Sequence, residues 1–119
     1  MDLESVYRIK LFCPPESAEQ IIASVLNIVH LTYGNYDCVA WTSSKGIEQF
    51  RPLMGAQPTR GNLHQIAKGE SVKVEFSVPR DKHTLRQVIE DGIFPVHPWE
   101  EPVILVSEEW ETRKARKRG

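Results

Sequence analysis

The chain has 119 residues, which suits one domain with one core. Its 40% hydrophobic and 26% charged residues describe an ordinary globular protein, and no stretch is apolar for long enough to span a membrane. The formal net charge of -1 hides an asymmetry: without the five basic residues of the terminal "RKARKRG", ten basic residues face 16 acidic ones, so residues 1–112 carry about -6.

"MDLESVYRIK" is acidic and then alternates, unlike a secretory signal. In "VYRIKLFC" (6–13), Tyr7, Ile9, Leu11 and Cys13 fall on one face and Arg8 and Lys10 on the other, which predicts a half-buried strand ended by Pro14 and Pro15. "SAEQIIASVLNIV" follows. Ser17 and Gln20 have capping-box spacing, and Ile21, Ile22, Val25, Leu26 and Val29 form one apolar helical face that fades between His30 and Gly34. "YDCVAWT" (36–42) is a second predicted strand, with Val39 and Trp41 on one face. An irregular stretch spans roughly residues 43–69. In "SVKVEFSV" (71–78), Val72, Val74, Phe76 and Val78 alternate with Lys73, Glu75 and Ser77, and Pro79 stops the strand. Asp81 is the expected N-cap of a short helix carrying Leu85, Val88 and Ile89 and ending at Gly92. "PVILVSEEW" is a last strand opening at Pro102, and residues 113–119 form a basic tail expected to be disordered.

Strand, helix, strand occurs twice, and "LFCPPESAEQIIASV" parallels "FSVPRDKHTLRQVI". The expected fold is therefore α+β, a ferredoxin-like βαββαβ sandwich. It has a four-stranded antiparallel sheet, both helices on one face and a long loop between strands 2 and 3. The first and third strands should be central, and Pro102 marks an edge. The uncovered face would carry Arg8, Lys10, Lys73 and Glu75, either solvated or meeting another subunit. Cys13 and Cys38 follow no zinc or redox spacing and lie on non-adjacent strands, so they read as small, partly buried hydrophobes of a cytoplasmic protein.

Two stretches carry a family resemblance: "GNYDCVAW" with "EQFRPLMGAQPTRG", and "HPWEEPVI" (97–104). Together they resemble the YqfO-type PII/CutA-like domain over about residues 5–107, so that residues 1–112 are expected to form a single domain of this kind. The domain occurs alone or inserted in larger proteins with a dinuclear metal centre. The resemblance implies a ferredoxin-like subunit, usually a homotrimer, with small ligands in clefts between subunits. The long connection between the second and third strands would reach those clefts, which makes residues 46–61 a ligand- or partner-facing loop. The chain departs from its relatives before the "GNY" element, in Trp99 where a tyrosine is commoner, and in its basic tail. It carries no transferable nucleotide signature of the PII kind.

The loop supplies the candidate ligand-binding residues Gly46, Gln49, Arg51, Gly55, Thr59, Arg60 and Gly61. Arg51 and Arg60 can grip a carboxylate or phosphate bidentately, Thr59 adds a hydroxyl, and Gly55 and Gly61 allow positive φ. A purely structural alternative has Phe50, Pro52 and Leu53 packing the loop while Arg51 pairs with an acidic neighbour such as Glu48. His97, Glu100 and Glu101 are a workable divalent-metal set. The alternative there is a proline-framed turn, with Trp99 anchored by burial and Glu101 paired with an arginine of a neighbouring subunit. His30 suits a helix C-terminus, and His64 and His83 read as surface residues. Ser43 and Ser44 lack a base, Cys38 follows an aspartate, and "GAQPTRG" lacks the Walker lysine. The expectation is a non-catalytic regulatory or sensor module binding an anionic small molecule or a protein, with no assigned cofactor. A divalent-metal protein of the CutA kind is the alternative. Nucleic acid is not an expected partner of the acidic body, and an RNA contact would fall to the tail.

Overall fold

A computed structural model describes residues 1–114. Five strands and two helices follow in the order β1 (Asp2–Cys13), α1 (Ala18–Leu26), β2 (Trp41–Thr42), β3 (Gly46–Phe50), β4 (Ala67–Pro79), α2 (Lys82–Gln87) and β5 (Ile104–Arg113). The fold is an α+β ferredoxin-like sandwich. Its antiparallel sheet has the order β2-β4-β1-β5, and β3 also pairs with β4. The alternating residues of β1 and β4 meet as expected: Ile9 faces Phe76, Leu11 faces Val74 and Cys13 faces Val72. These side chains are buried against Ile21 and Val25 of α1 and against Val88 and Ile93, which continue α2.

The second strand of the expected four is replaced by two short ones. "YDCVAWT" pairs with β4 only at Trp41 and Thr42, because Cys38 sits at φ 57° and breaks the extended run before it. Beyond Ser43 the chain rejoins β4 as β3, where Gly46 faces Ser71 and Phe50 faces Ala67. β1 pairs with β4 only from Val6 to Cys13, and with β5 only from Asp2 to Leu11. Two two-stranded ribbons therefore project from opposite ends: β3 with the start of β4, and the start of β1 with the end of β5. The molecule accordingly measures 59 × 28 × 22 Å.

The helix ends differ from expectation in two places. Ser17 lies in helical conformation (φ -94°, ψ -14°) at the end of a 3-10 turn, Pro15–Ser17, and makes no side-chain cap, so the capping box does not form. The helix ends at Leu26, which leaves His30 beyond it, exposed next to the buried Leu31. Asp81 caps α2 as expected, accepting from the backbone N–H groups of His83 and Thr84. α2 then continues through Gly92 as a π-helical turn, Val88–Ile93. Gly92 serves close approach rather than termination. A Cβ there would lie 3.1 Å from Ile28 Cδ1, and its carbonyl accepts from Ser24 Oγ of α1 at 2.7 Å.

On the uncovered face, Glu75 lies between Arg8 Nε at 3.2 Å and Lys73 Nζ at 3.1 Å, while Arg8 also reaches Ser77. Partial desolvation opposes ionisation of Glu75, but its bonds to Lys73 and Arg8 prevail and hold the carboxyl below its ordinary range. At the other end Arg113, counted above with the tail, is the last residue of β5. It contacts Glu4 and Glu111 at 3.2 Å each and stacks 3.9 Å from the Tyr33 ring centre. Residues 115–119 of the basic tail lie outside the described residues. Among the described residues no helix is long and apolar enough to cross a membrane.

Candidate functional site

The sheet register decides which distant segments meet. Cys13 ends β1 beside Val72, so Pro14 lies at the root of the β3–β4 ribbon. Phe12 donates its backbone N–H to the Val103 carbonyl at 3.1 Å, which brings the "HPWEEP" stretch to the same end. The segment from 51 to 66 folds back there, and the Gln57 N–H donates to Glu100 Oε1 at 2.7 Å. A partly open cavity of about 220 Å³ results. Its apolar walls are Pro14, Phe50, Pro52, Ala56, Pro58, Trp99 and Val103, and its polar groups come from Glu48, Arg51, Thr59, Arg60, Glu70, Glu100 and Glu101.

Glycines shape this wall. Gly61 sits at φ 90°, and a Cβ on it would be 3.0 Å from Ala67 Cβ and 3.3 Å from Phe50 Cε2. Gly69 on β4 leaves the space that the Arg60 guanidinium fills; any side chain there would collide with it. Arg51 and Arg60 are exposed, and neither makes an ion pair or side-chain hydrogen bond among the described residues. The expected alternative, Arg51 paired with Glu48, does not form. Of the acids, Glu70 pairs with Lys45 at 3.5 Å and Glu100 holds Gln57, while Glu48 and Glu101 have no partner among the described residues.

His97 lies outside the wall, 7% exposed. Its Nδ1 accepts the Trp99 backbone N–H at 3.2 Å, which leaves the proton on Nε2 to be donated to the Phe12 carbonyl at 2.8 Å. Its ring also packs against Trp99, with centres 5.1 Å apart. Burial holds the imidazole below its ordinary pKa, partly opposed by the Phe12 bond. With both nitrogens engaged, His97 is not brought together with Glu100 and Glu101. Among the described residues no group of three or more His, Cys, Asp or Glu is placed to hold a metal ion.

Of the seven loop candidates, Arg51, Thr59 and Arg60 line the cavity. Gly46 and Gln49 are ladder residues of β3, Gly55 turns the chain at φ 95°, and Gly61 packs behind the wall. Glu100 and Glu101 join the cavity rather than a metal cluster. Part of its remaining wall could not be read from the sequence, because Pro14 and Gly69 belong to no motif and arrive through strand register. His64, at φ 61°, and His83 are exposed. Cys13 is buried, and burial together with the Glu16 charge pushes its thiol up to about 11. Cys38 is exposed rather than partly buried, with its pKa raised by local desolvation and by Asp37.

No protein-family model matches the chain. In sequence it is 29% identical over 94 residues to a Bacillus subtilis (strain 168) protein named GTP cyclohydrolase 1 type 2 homolog, covering 79% of this chain and 24% of that one. The chain thus spans about a quarter of the length of the curated relatives it matches. In structure it is similar to a Bacillus cereus protein related to NIF3, with a TM-score of 0.72 and 24% identity over 92% of this chain and 27% of that one. It is also similar to CutA1 from Shewanella sp. SIB1, with a TM-score of 0.61 and 13% identity over 87% of this chain and 79% of that one. In sequence and in fold, this chain resembles the YqfO-type PII/CutA-like domain family.

Proposed function

We propose that the chain is a non-catalytic sensor or adaptor module that binds a small ligand in the cavity at the β3–β4 end. One observation carries the reading. Residues 51–60 and 99–103, far apart in sequence, are tied by the Gln57–Glu100 bond into one apolar-walled cavity with two unpaired arginines. Concave apolar sites with a few convergent polar groups are the usual form of small-molecule sites. The cavity opens to the surface, and a neighbouring copy in a homotrimer would close it, in keeping with the family resemblance. A protein partner docking on the same loop would read the ligand state. The two thiols, one buried and one exposed, are both free, which fits a reducing cytoplasm.

The divalent-metal alternative keeps the likeness in fold to CutA1, but its histidine is committed to Phe12 and Trp99. Native mass spectrometry of freshly purified, untagged protein tests both readings. The expected result is a trimer retaining an organic mass that Arg51→Ala and Arg60→Ala lose. A retained metal mass that a chelator removes, with no organic mass, would overturn the ligand reading.

A further inference from the structure

The charges around the cavity narrow the ligand class. Among the described residues Arg51 and Arg60 are unpaired, and so are Glu48 and Glu101, although all four line the same 220 Å³ space. Unpaired in the free protein, all four are left for a ligand that enters the space. They come from three places, Arg51 and Arg60 from the loop, Glu48 from β3 and Glu101 from the "HPWEEP" stretch, around the apolar walls of Phe50, Pro52 and Trp99. Gly69 fixes part of this spacing, because its missing Cβ is what allows the Arg60 guanidinium to lie against β4. A purely anionic ligand would satisfy the arginines but sit beside two free carboxylates, and a purely cationic one would meet the reverse conflict. A molecule with both charges satisfies all four. The volume is below the roughly 300–1,000 Å³ typical of drug-sized sites, so the ligand is small and a nucleotide would not be enclosed.

We propose that the cavity takes a small zwitterion with an apolar side chain, the chemical class of a free α-amino acid. Its carboxylate lies toward Arg51 and Arg60, its ammonium toward Glu48 and Glu101, and its side chain against Phe50 and Trp99. This rests on the reading of the cavity as a small-ligand site and specifies what that site selects.

The test is calorimetric titration with four probes: L-phenylalanine, L-leucine, 3-phenylpropionate, which lacks the amine, and 2-phenylethylamine, which lacks the carboxylate. The Trp99 indole N–H resonance is followed in parallel to locate binding. At least one amino acid should bind tenfold or more tightly than either single-charge analogue. Arg60→Ala and Glu101→Gln, both at exposed positions, should each weaken it about tenfold, and Arg60→Lys should restore part of the loss. Gly69→Ala should weaken it, and 3-phenylpropionate with it, by displacing Arg60, while leaving the affinity of 2-phenylethylamine unchanged. Equal binding of 3-phenylpropionate, or of 2-phenylethylamine, would overturn the zwitterion and leave a small-ligand site of one charge sign. Failure of all four probes to move Trp99 would overturn the amino-acid class. A retained organic mass in native spectra would then still uphold the broader reading, and its absence would remove that as well.

Discussion

His97→Ala separates a structural role for this residue from a metal-binding one. The substitution deletes two hydrogen bonds, from Nε2–H to the Phe12 carbonyl and from the Trp99 N–H to Nδ1. It also removes a buried ring that packs on Trp99. An orphaned buried donor or acceptor costs about 1–3 kcal/mol, at the low end here because Phe12 and Trp99 are only half-buried. With the lost packing, the total should be about 2–4 kcal/mol. For a domain of this size that lowers Tm by about 8–16 °C, at roughly 4 °C per kcal/mol. The assay is urea and thermal unfolding of wild type and variant, each with and without a chelator. A pH series adds a second readout. The folded imidazole resists protonation while the unfolded one takes a proton near its ordinary pKa of about 6.5. This contribution is complete above that pH, is lost as pH falls through it, and levels off below the folded pKa. In His97→Gln this component disappears, so the stability curve of the variant should be flatter between neutral and mildly acid pH. A loss below about 0.5 kcal/mol with an unchanged pH slope would refute the structural role. A drop in zinc affinity without a stability change would restore the metal set.

Three further outcomes follow from the geometry. Arg113→Ala leaves Glu4 and Glu111 facing each other across the β1–β5 ladder without their shared cation, so stability should fall by about 2–3 kcal/mol, and added salt should recover part of it. A tail residue in that position would show no change in a urea melt. Gly55→Ala and Gly61→Ala both strain a positive φ, but only Gly61 also meets Ala67 and Phe50, so Gly61→Ala should cost about 1–2 kcal/mol more in the same assay. Phe76→Ala, in the fully buried centre of β4, should cost about 3–5 kcal/mol and leave little folded protein at 37 °C.

The central fold was legible because it is written in period-2 and helical alternation. Ile9 with Leu11 and Val74 with Phe76 have to face one core, and Ile21 with Val25 has to cover it. β3 was not legible for a physical reason. Gly46–Phe50 and the start of β4 form a ribbon exposed on one face and only half-covered on the other, where Glu48, Phe50, Ala67 and Gly69 sit, so no apolar alternation marks either strand. The shortened β2 was hidden in the same way, since a single left-handed residue, Cys38, has no sequence signal of the kind glycine gives. Arg113 looked like tail because it begins a basic run, yet its partners Glu4 and Tyr33 lie far away in sequence. The candidate site was half legible. Arg51, Thr59, Arg60, Glu100 and Glu101 are polar residues in irregular stretches and attract notice. That the two stretches wall one cavity depends on the pairing of β1 with β5, and residue types alone do not give that register.

The three tryptophans allow the most direct test of the cavity as the binding site. Trp99 lines it, while Trp41 and Trp110 lie on opposite edges of the sheet. The measurement is a two-dimensional NMR spectrum of protein labelled with nitrogen-15 at the indoles, recorded before and after adding a protein-free small-molecule extract of the cells that express it. The ligand-site account predicts that the Trp99 resonance moves and saturates while those of Trp41 and Trp110 stay in place. A Trp99 resonance that does not move, or movement at Trp41 or Trp110 alone, would contradict it.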